Sequence, residues 1–127
     1  MAKKLSFTKV YKNLTEVLID HKLASLGDAY INFVYSLALS QDKGQPLGVR
    51  VKSSVLAEAF KKAGLRGYMP TRVSSHMLAD AAEALIVYAW LNHNISLEEC
   101  VAALRKMEDP IEGFRRLLLT IKERVTF

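Results

Sequence analysis

Val73-Ser-Ser-His-Met-Leu-Ala-Asp-Ala-Ala-Glu-Ala-Leu-Ile-Val-Tyr-Ala-Trp-Leu91 is the stretch on which the fold turns. It is almost wholly apolar and too long for a strand, so it reads as a buried helix from about Val73 to Asn92. Its only formal charges are Asp80 and Glu83, which share one helix face. A second apolar stretch, Leu23–Gln41, has Asp28 as its only formal charge. An ionised carboxylate in a buried helix is costly unless a cation or strong donors pair with it. Neither stretch contains Lys or Arg, so a bound divalent cation is the natural partner.

Outward from these two stretches the chain reads as all helix. The apolar positions Phe7, Val10, Tyr11, Leu14, Val17 and Leu18 predict a first helix from about Ser6 to Ile19. Asp20 is positioned to cap the second, which continues to about Ser40. Gln41–Lys52 holds Gly44, Pro46 and Gly48 and reads as a loop. Ser53 or Ser54 opens a third helix that Gly64 ends, and a loop to Thr71 follows. Ser96-Leu-Glu-Glu99 is a capping box for a fifth helix to about Lys106. Asp109-Pro110-Ile111-Glu112 opens a last helix to about Val125. The expectation is an all-α fold of about six helices, one domain over residues 1–127, with no internal repeat.

Composition narrows the class. Half of the 127 residues are apolar, enough for a real core. The single cysteine, Cys100, excludes an internal disulfide and fits a reducing compartment. There is no signal-peptide pattern and no apolar run long enough to span a membrane, so a soluble, cytoplasmic protein is expected. The net charge is +5. Between Lys43 and Arg72 seven basic residues face one acid, Glu58, which suits a polyanionic partner; solvation of helix faces accounts for such charge equally well. Arg50, Lys52, Lys61, Lys62, Arg66 and Arg72 are the candidates to hold such a polyanion.

If the second and fourth helices pack together, Asp28, Asp80 and Glu83 converge as a hard-oxygen site of the kind Mg²⁺ prefers. His76, four residues before Asp80, and Asn32, four after Asp28, are accessory candidates. The bland alternatives are a solvated Asp-x-x-Glu pair, a local cap at Asp28 after Gly27, and a surface histidine.

Leu26-Gly27-Asp28-Ala29 inside Leu23–Leu37 resembles the signature helix of ribonuclease III. Leu78-Ala79-Asp80-Ala81-Ala82-Glu83-Ala84-Leu85-Ile86 resembles the second acidic motif of that family. Val55–Phe60, with Gly64-Leu65 and Tyr68, resembles the helix and turn between them. The resemblance runs from about Lys12 to Arg124 and is closest to a stand-alone domain, archaeal or Mini-III in type, without a double-stranded RNA-binding domain. It implies an all-helical domain that dimerises through its signature helices. It implies a Mg²⁺-dependent (or Mn²⁺-dependent) endoribonuclease that cuts structured or double-stranded RNA with metal-activated water. Asp28, Asp80 and Glu83 match the catalytic, metal-binding acids. The resemblance also implies that the polyanion held by the basic residues between Lys43 and Arg72 is RNA. A homodimer built on the second helix would use Tyr30, Phe33, Val34 and Leu37 as its shared apolar surface.

Three positions depart from the family pattern. Ala24 stands where the signature has a glutamate four residues before the first aspartate. His21 replaces another glutamate, and Val87 replaces a glycine. Ala24 keeps a second class open: a non-catalytic, dimeric RNA-binding or ribosome-assembly protein with the same fold.

Overall fold

The computed structural model describes Leu5 and residues 7–127. Among them are six α-helices, one 3₁₀ turn and no strand: α1 (Leu14–Leu18), α2 (His21–Lys43), α3 (Ser53–Lys62), η1 (Arg66–Tyr68), α4 (Ser75–Leu91), α5 (Leu97–Leu104) and α6 (Pro110–Arg124). The fold is all-α, and no described helix is long and apolar enough to cross a membrane.

Helix α4 is the centre of the core. Its buried residues run from Leu78 to Leu91 around the whole circumference, and α1, α2, α3 and α6 all pack on it. A helix apolar on every side has no solvent face, so it must be surrounded. Val17, Phe60, Leu85, Phe114 and Ile121 are fully enclosed. Each such side chain contributes about 1.5–3 kcal/mol by leaving water.

The helix ends follow local chemistry. Asp20 caps α2 by accepting from the Lys22 and Leu23 N–H groups. Ser74 caps α4 through the Met77 N–H, and Ser96 and Glu99 form the capping box of α5. Asp109 accepts from the Ile111 N–H, with Pro110 in the first turn of α6. At the far end of α3, Gly64 takes a φ of 76°, a left-handed conformation that only glycine adopts freely. Helix α3 is entered from Lys52 without a side-chain cap, so neither Ser53 nor Ser54 serves as the cap that its position predicts.

The first helix is shorter than the apolar spacing predicts. Ser6, its expected start, lies outside the described residues. Asn13 is extended, and its side chain accepts from the Glu16 N–H, which starts α1 at Leu14. Phe7 and Val10 are exposed rather than in the core. The Tyr11 hydroxyl donates instead to Asp20, so a polar tie holds this segment across the α1–α2 corner.

The segment after α2 is more ordered than a loop reading implies. Residues 47–51 run along α2 and are laced to it. The Ser40 hydroxyl accepts from the Leu47 N–H and donates to the Leu47 carbonyl. Ser36 does the same with Val49. The Asn32 carbonyl oxygen accepts from the Val51 N–H at 2.8 Å. Four residues of helix rise about 6 Å. Two residues of extended chain rise about 6.6 Å, so the two periods match closely enough for a ladder.

Candidate active-site cleft

Gly27 and Asp28 sit where α2 crosses α4. Gly27 is buried against the main chain of Glu83, and a Cβ there would overlap the Glu83 carbonyl. Having no side chain, Gly27 lets the helices approach closely. The next residue, Asp28, then reaches a cleft of about 520 Å³ that Asp80 and Glu83 also line. The remaining walls come from His21, Ala24 and Ser25 of α2, Arg50 and Val51 ahead of α3, Ser53 and Leu56 of α3, and His76 of α4.

The three acids differ in their surroundings. Asp28 accepts from the Asn32 side-chain amide at 3.2 Å and pairs with the Arg50 guanidinium at 3.5 Å. Asp80 lies 3.7 Å from the His76 ring nitrogen Nε2. Glu83 is 8% exposed, the one buried charged residue among those described. Burial, then a hydrogen bond shared with Asp28, then the charges of Asp28 and Asp80 push its carboxyl up to about 8. Arg50 opposes that rise without cancelling it. Burial is the larger cause of that rise and the neighbouring acids the smaller one, so an ionised Glu83 is costly here unless a cation pairs with it.

The donor chemistry fits a hard divalent cation, since three carboxylates face one water-accessible space. The side chains do not stand as a ready cage. Among the described residues no three His, Cys, Asp or Glu groups are arranged to hold a metal ion as they stand. Asp28 is turned onto Arg50 and Asn32, and Asp80 lies beside His76. Binding a cation there requires these side chains to turn.

The other expected residues scatter. Arg50 is in the cleft, whereas Lys52, the residue that leads into α3, does not line it. Lys61 pairs with Glu58 at 3.2 Å, Lys62 is exposed, and the Arg66 guanidinium donates to the Pro70 carbonyl. Arg72 is exposed with a φ of 61°, a left-handed conformation uncommon outside glycine, just ahead of the α4 cap. Of the four residues named for a dimer surface, Phe33 is 55% exposed, while Tyr30 and Leu37 are half-buried. Val34 is 2% exposed and faces the core of its own chain, so it is removed from that surface. Leu26 stands exposed one turn before Tyr30. Tyr30 itself packs on Trp90 and donates to the Cys100 thiol.

Ser25, three residues before Asp28, lies on its face of α2, whereas sequence reasoning missed Ser53 and Leu56 as cleft residues. They carry no charge, and nothing in their spacing separates them from ordinary helix positions. His21 and Ala24 were visible only as departures from a motif, and both line the cleft.

A family model described as Ribonuclease III matches residues 21–125. The chain belongs to the ribonuclease III family. The match spans α2 to α6 and so contains Asp28, Asp80 and Glu83. No curated protein matches the chain significantly. Ala24, the position at which the sequence departs from the signature it resembles, lines this ribonuclease III domain's cleft without an acid.

Proposed function

We propose that this ribonuclease III domain is a divalent-metal-dependent endoribonuclease acting on structured or double-stranded RNA. The observation that carries the reading is the buried Glu83, which lines one cleft together with Asp28 and Asp80. A fold rarely keeps clustered acids in a half-closed space without a cation to balance them. Asp28, Asp80 and Glu83 would hold Mg²⁺ or Mn²⁺. When bound, such a cation activates water and stabilises charge on a phosphodiester.

The chain's own groups supply the rest. The Arg50 guanidinium, 79% exposed, is free on its outer side to hold a phosphate beside the reacting one. Asn32 orients the Asp28 carboxylate by donating to one of its oxygens, and its own carbonyl is anchored by the Val51 N–H. His76 fixes one side of Asp80. Lys52, Lys61, Lys62, Arg66 and Arg72 extend the positive field for a polyanion read mainly by shape. A homodimer across the exposed face of α2, using Leu26, Tyr30 and Leu37 with Phe33 toward the groove side, would present two clefts to the two strands.

The deciding experiment incubates purified protein with a long RNA duplex, with Mg²⁺ and with chelator. Mg²⁺-dependent cleavage supports the enzyme. Ala24 favours a second reading, a non-catalytic dimeric RNA-binding or ribosome-assembly protein. Tight RNA binding with no cleavage under either metal would favour that reading.

A further inference from the structure

The extended segment 47–51 has two edges, and only one is used by the fold. The amides of Leu47, Val49 and Val51 are bonded to Ser40, Ser36 and Asn32 of α2. In an extended chain successive residues turn their N–H groups to opposite sides, so those of Gly48 and Arg50 point away from α2. Neither donates to a protein acceptor among the described residues.

Gly48 is informative because the fold does not require it. A Cβ there would have no atom within 4 Å, and its φ is not left-handed. The glycine instead leaves bare main chain beside a groove of about 530 Å³, lined by Asn32, Phe33, Ser36, Leu47, Val49 and Arg50 as well. This lining carries one charge, the Arg50 guanidinium, and no carboxylate. Arg50 also lines the acidic cleft, so cleft and groove meet at that side chain.

Resting on the RNA reading of the cleft, we propose that the Gly48–Arg50 edge is a phosphate track. The N–H groups of Gly48 and Arg50 and the Arg50 guanidinium hold phosphodiester oxygens of the RNA strand where it leaves the acidic cleft. Main-chain amides are donors fixed in place, and a residue without Cβ lets a phosphate come close to them. The Asp28 carboxylate inside the cleft turns the polyanion outward along the groove, where no acid opposes it.

The test uses the full chain, ¹⁵N-labelled, titrated with a short RNA duplex in chelator so that metal-dependent cleavage is absent. The Gly48 and Arg50 amide signals shift, and the intervening Leu47, Val49 and Val51 signals, held by α2, shift less. Gly48→Ala keeps the circular dichroism spectrum and unfolding midpoint but weakens RNA binding about fivefold or more, the effect of losing roughly one hydrogen bond. Its salt dependence stays that of the wild type because no charge is lost, whereas Arg50→Ala lowers the slope by about one. Wild-type affinity in Gly48→Ala, or RNA-induced shifts that bypass both amides, overturns the track and leaves the RNA reading standing. A wild-type protein that binds no RNA overturns both.

Discussion

Gly27 touches the main chain of Glu83: a Cβ on Gly27 would overlap the Glu83 carbonyl and lie 3.0 Å from the Glu83 Cβ. A tight approach of α2 to α4 is therefore made by the residue before one cleft acid and by another cleft acid itself. Helix packing and the geometry of the cleft are the same contact.

Gly27→Ala has no cheap way to fit, because the obstructing atoms are backbone. It should lower stability by about 1–3 kcal/mol through overpacking and push Asp28 away from Glu83. Urea denaturation measures the first effect. An unchanged midpoint would show that the helices can separate without loss.

The raised Glu83 carboxyl makes stability fall as pH rises. In the folded chain Glu83 keeps its proton to about pH 8, whereas its ordinary value is 4.5. Between those values the folded state binds more protons than the unfolded state, so the contribution present below 4.5 is lost as pH climbs through 8. The slope is about 1.4 kcal/mol per pH unit at its steepest, and the total is a few kcal/mol. Thermal unfolding in chelator from acid to mildly alkaline pH should show this decline in the wild type. Glu83→Gln should remove most of it and be the more stable protein at the alkaline end. Parallel profiles for the two would mean that Glu83 titrates normally.

Asp80→Asn and Glu83→Gln keep side-chain shape but cannot carry the negative charge that a bound cation would draw out. In an active nuclease each should cut at least 100-fold more slowly, the range for loss of a group that stabilises transition-state charge, while still binding RNA. Ala24→Glu restores a carboxylate one turn before Asp28 on the same face and should tighten Mg²⁺ binding, which calorimetry reads without reference to turnover. Undiminished cleavage by both charge-removing variants would refute the assignment of the acids.

Leu26 and Phe33 are large apolar side chains left in water on the exposed side of α2. Phe33→Asp should convert a dimer to monomer in sedimentation at micromolar concentration, since a charge facing its symmetry mate is repelled and desolvated at once. A wild type that is already monomeric at that concentration would argue against the dimer.

Helix type and most helix ends were legible because they depend on neighbours in the chain. Asp20, Ser96 and Asp109 cap within three residues of themselves, and Gly64 needs only its own backbone to end α3, whereas the Ser74 cap, which starts α4 two residues after Val73, was not read. The same locality led the first helix astray. Phe7 and Val10 have helical spacing, but the Asn13 cap and the Tyr11–Asp20 bond override it. The isolation of Asp28, Asp80 and Glu83 among apolar residues was equally visible, because a lone acid in such a stretch is an anomaly of composition.

Three-dimensional packing settled what spacing leaves open. Asp28 lies more than fifty residues from Asp80, and their meeting depends on how closely two helices cross, which the absent side chain of Gly27 permits. Val34 and Phe33 are adjacent and both apolar, yet one fills the core and the other faces water, since which side of α2 is covered is decided by α4 and α5. The polar stripe Asn32, Ser36 and Ser40 looks like ordinary helix surface until residues 47–51 lie along it. Caps act over one turn and can be read along the chain, whereas the cleft and the ladder are made by groups that become neighbours only when the helices pack.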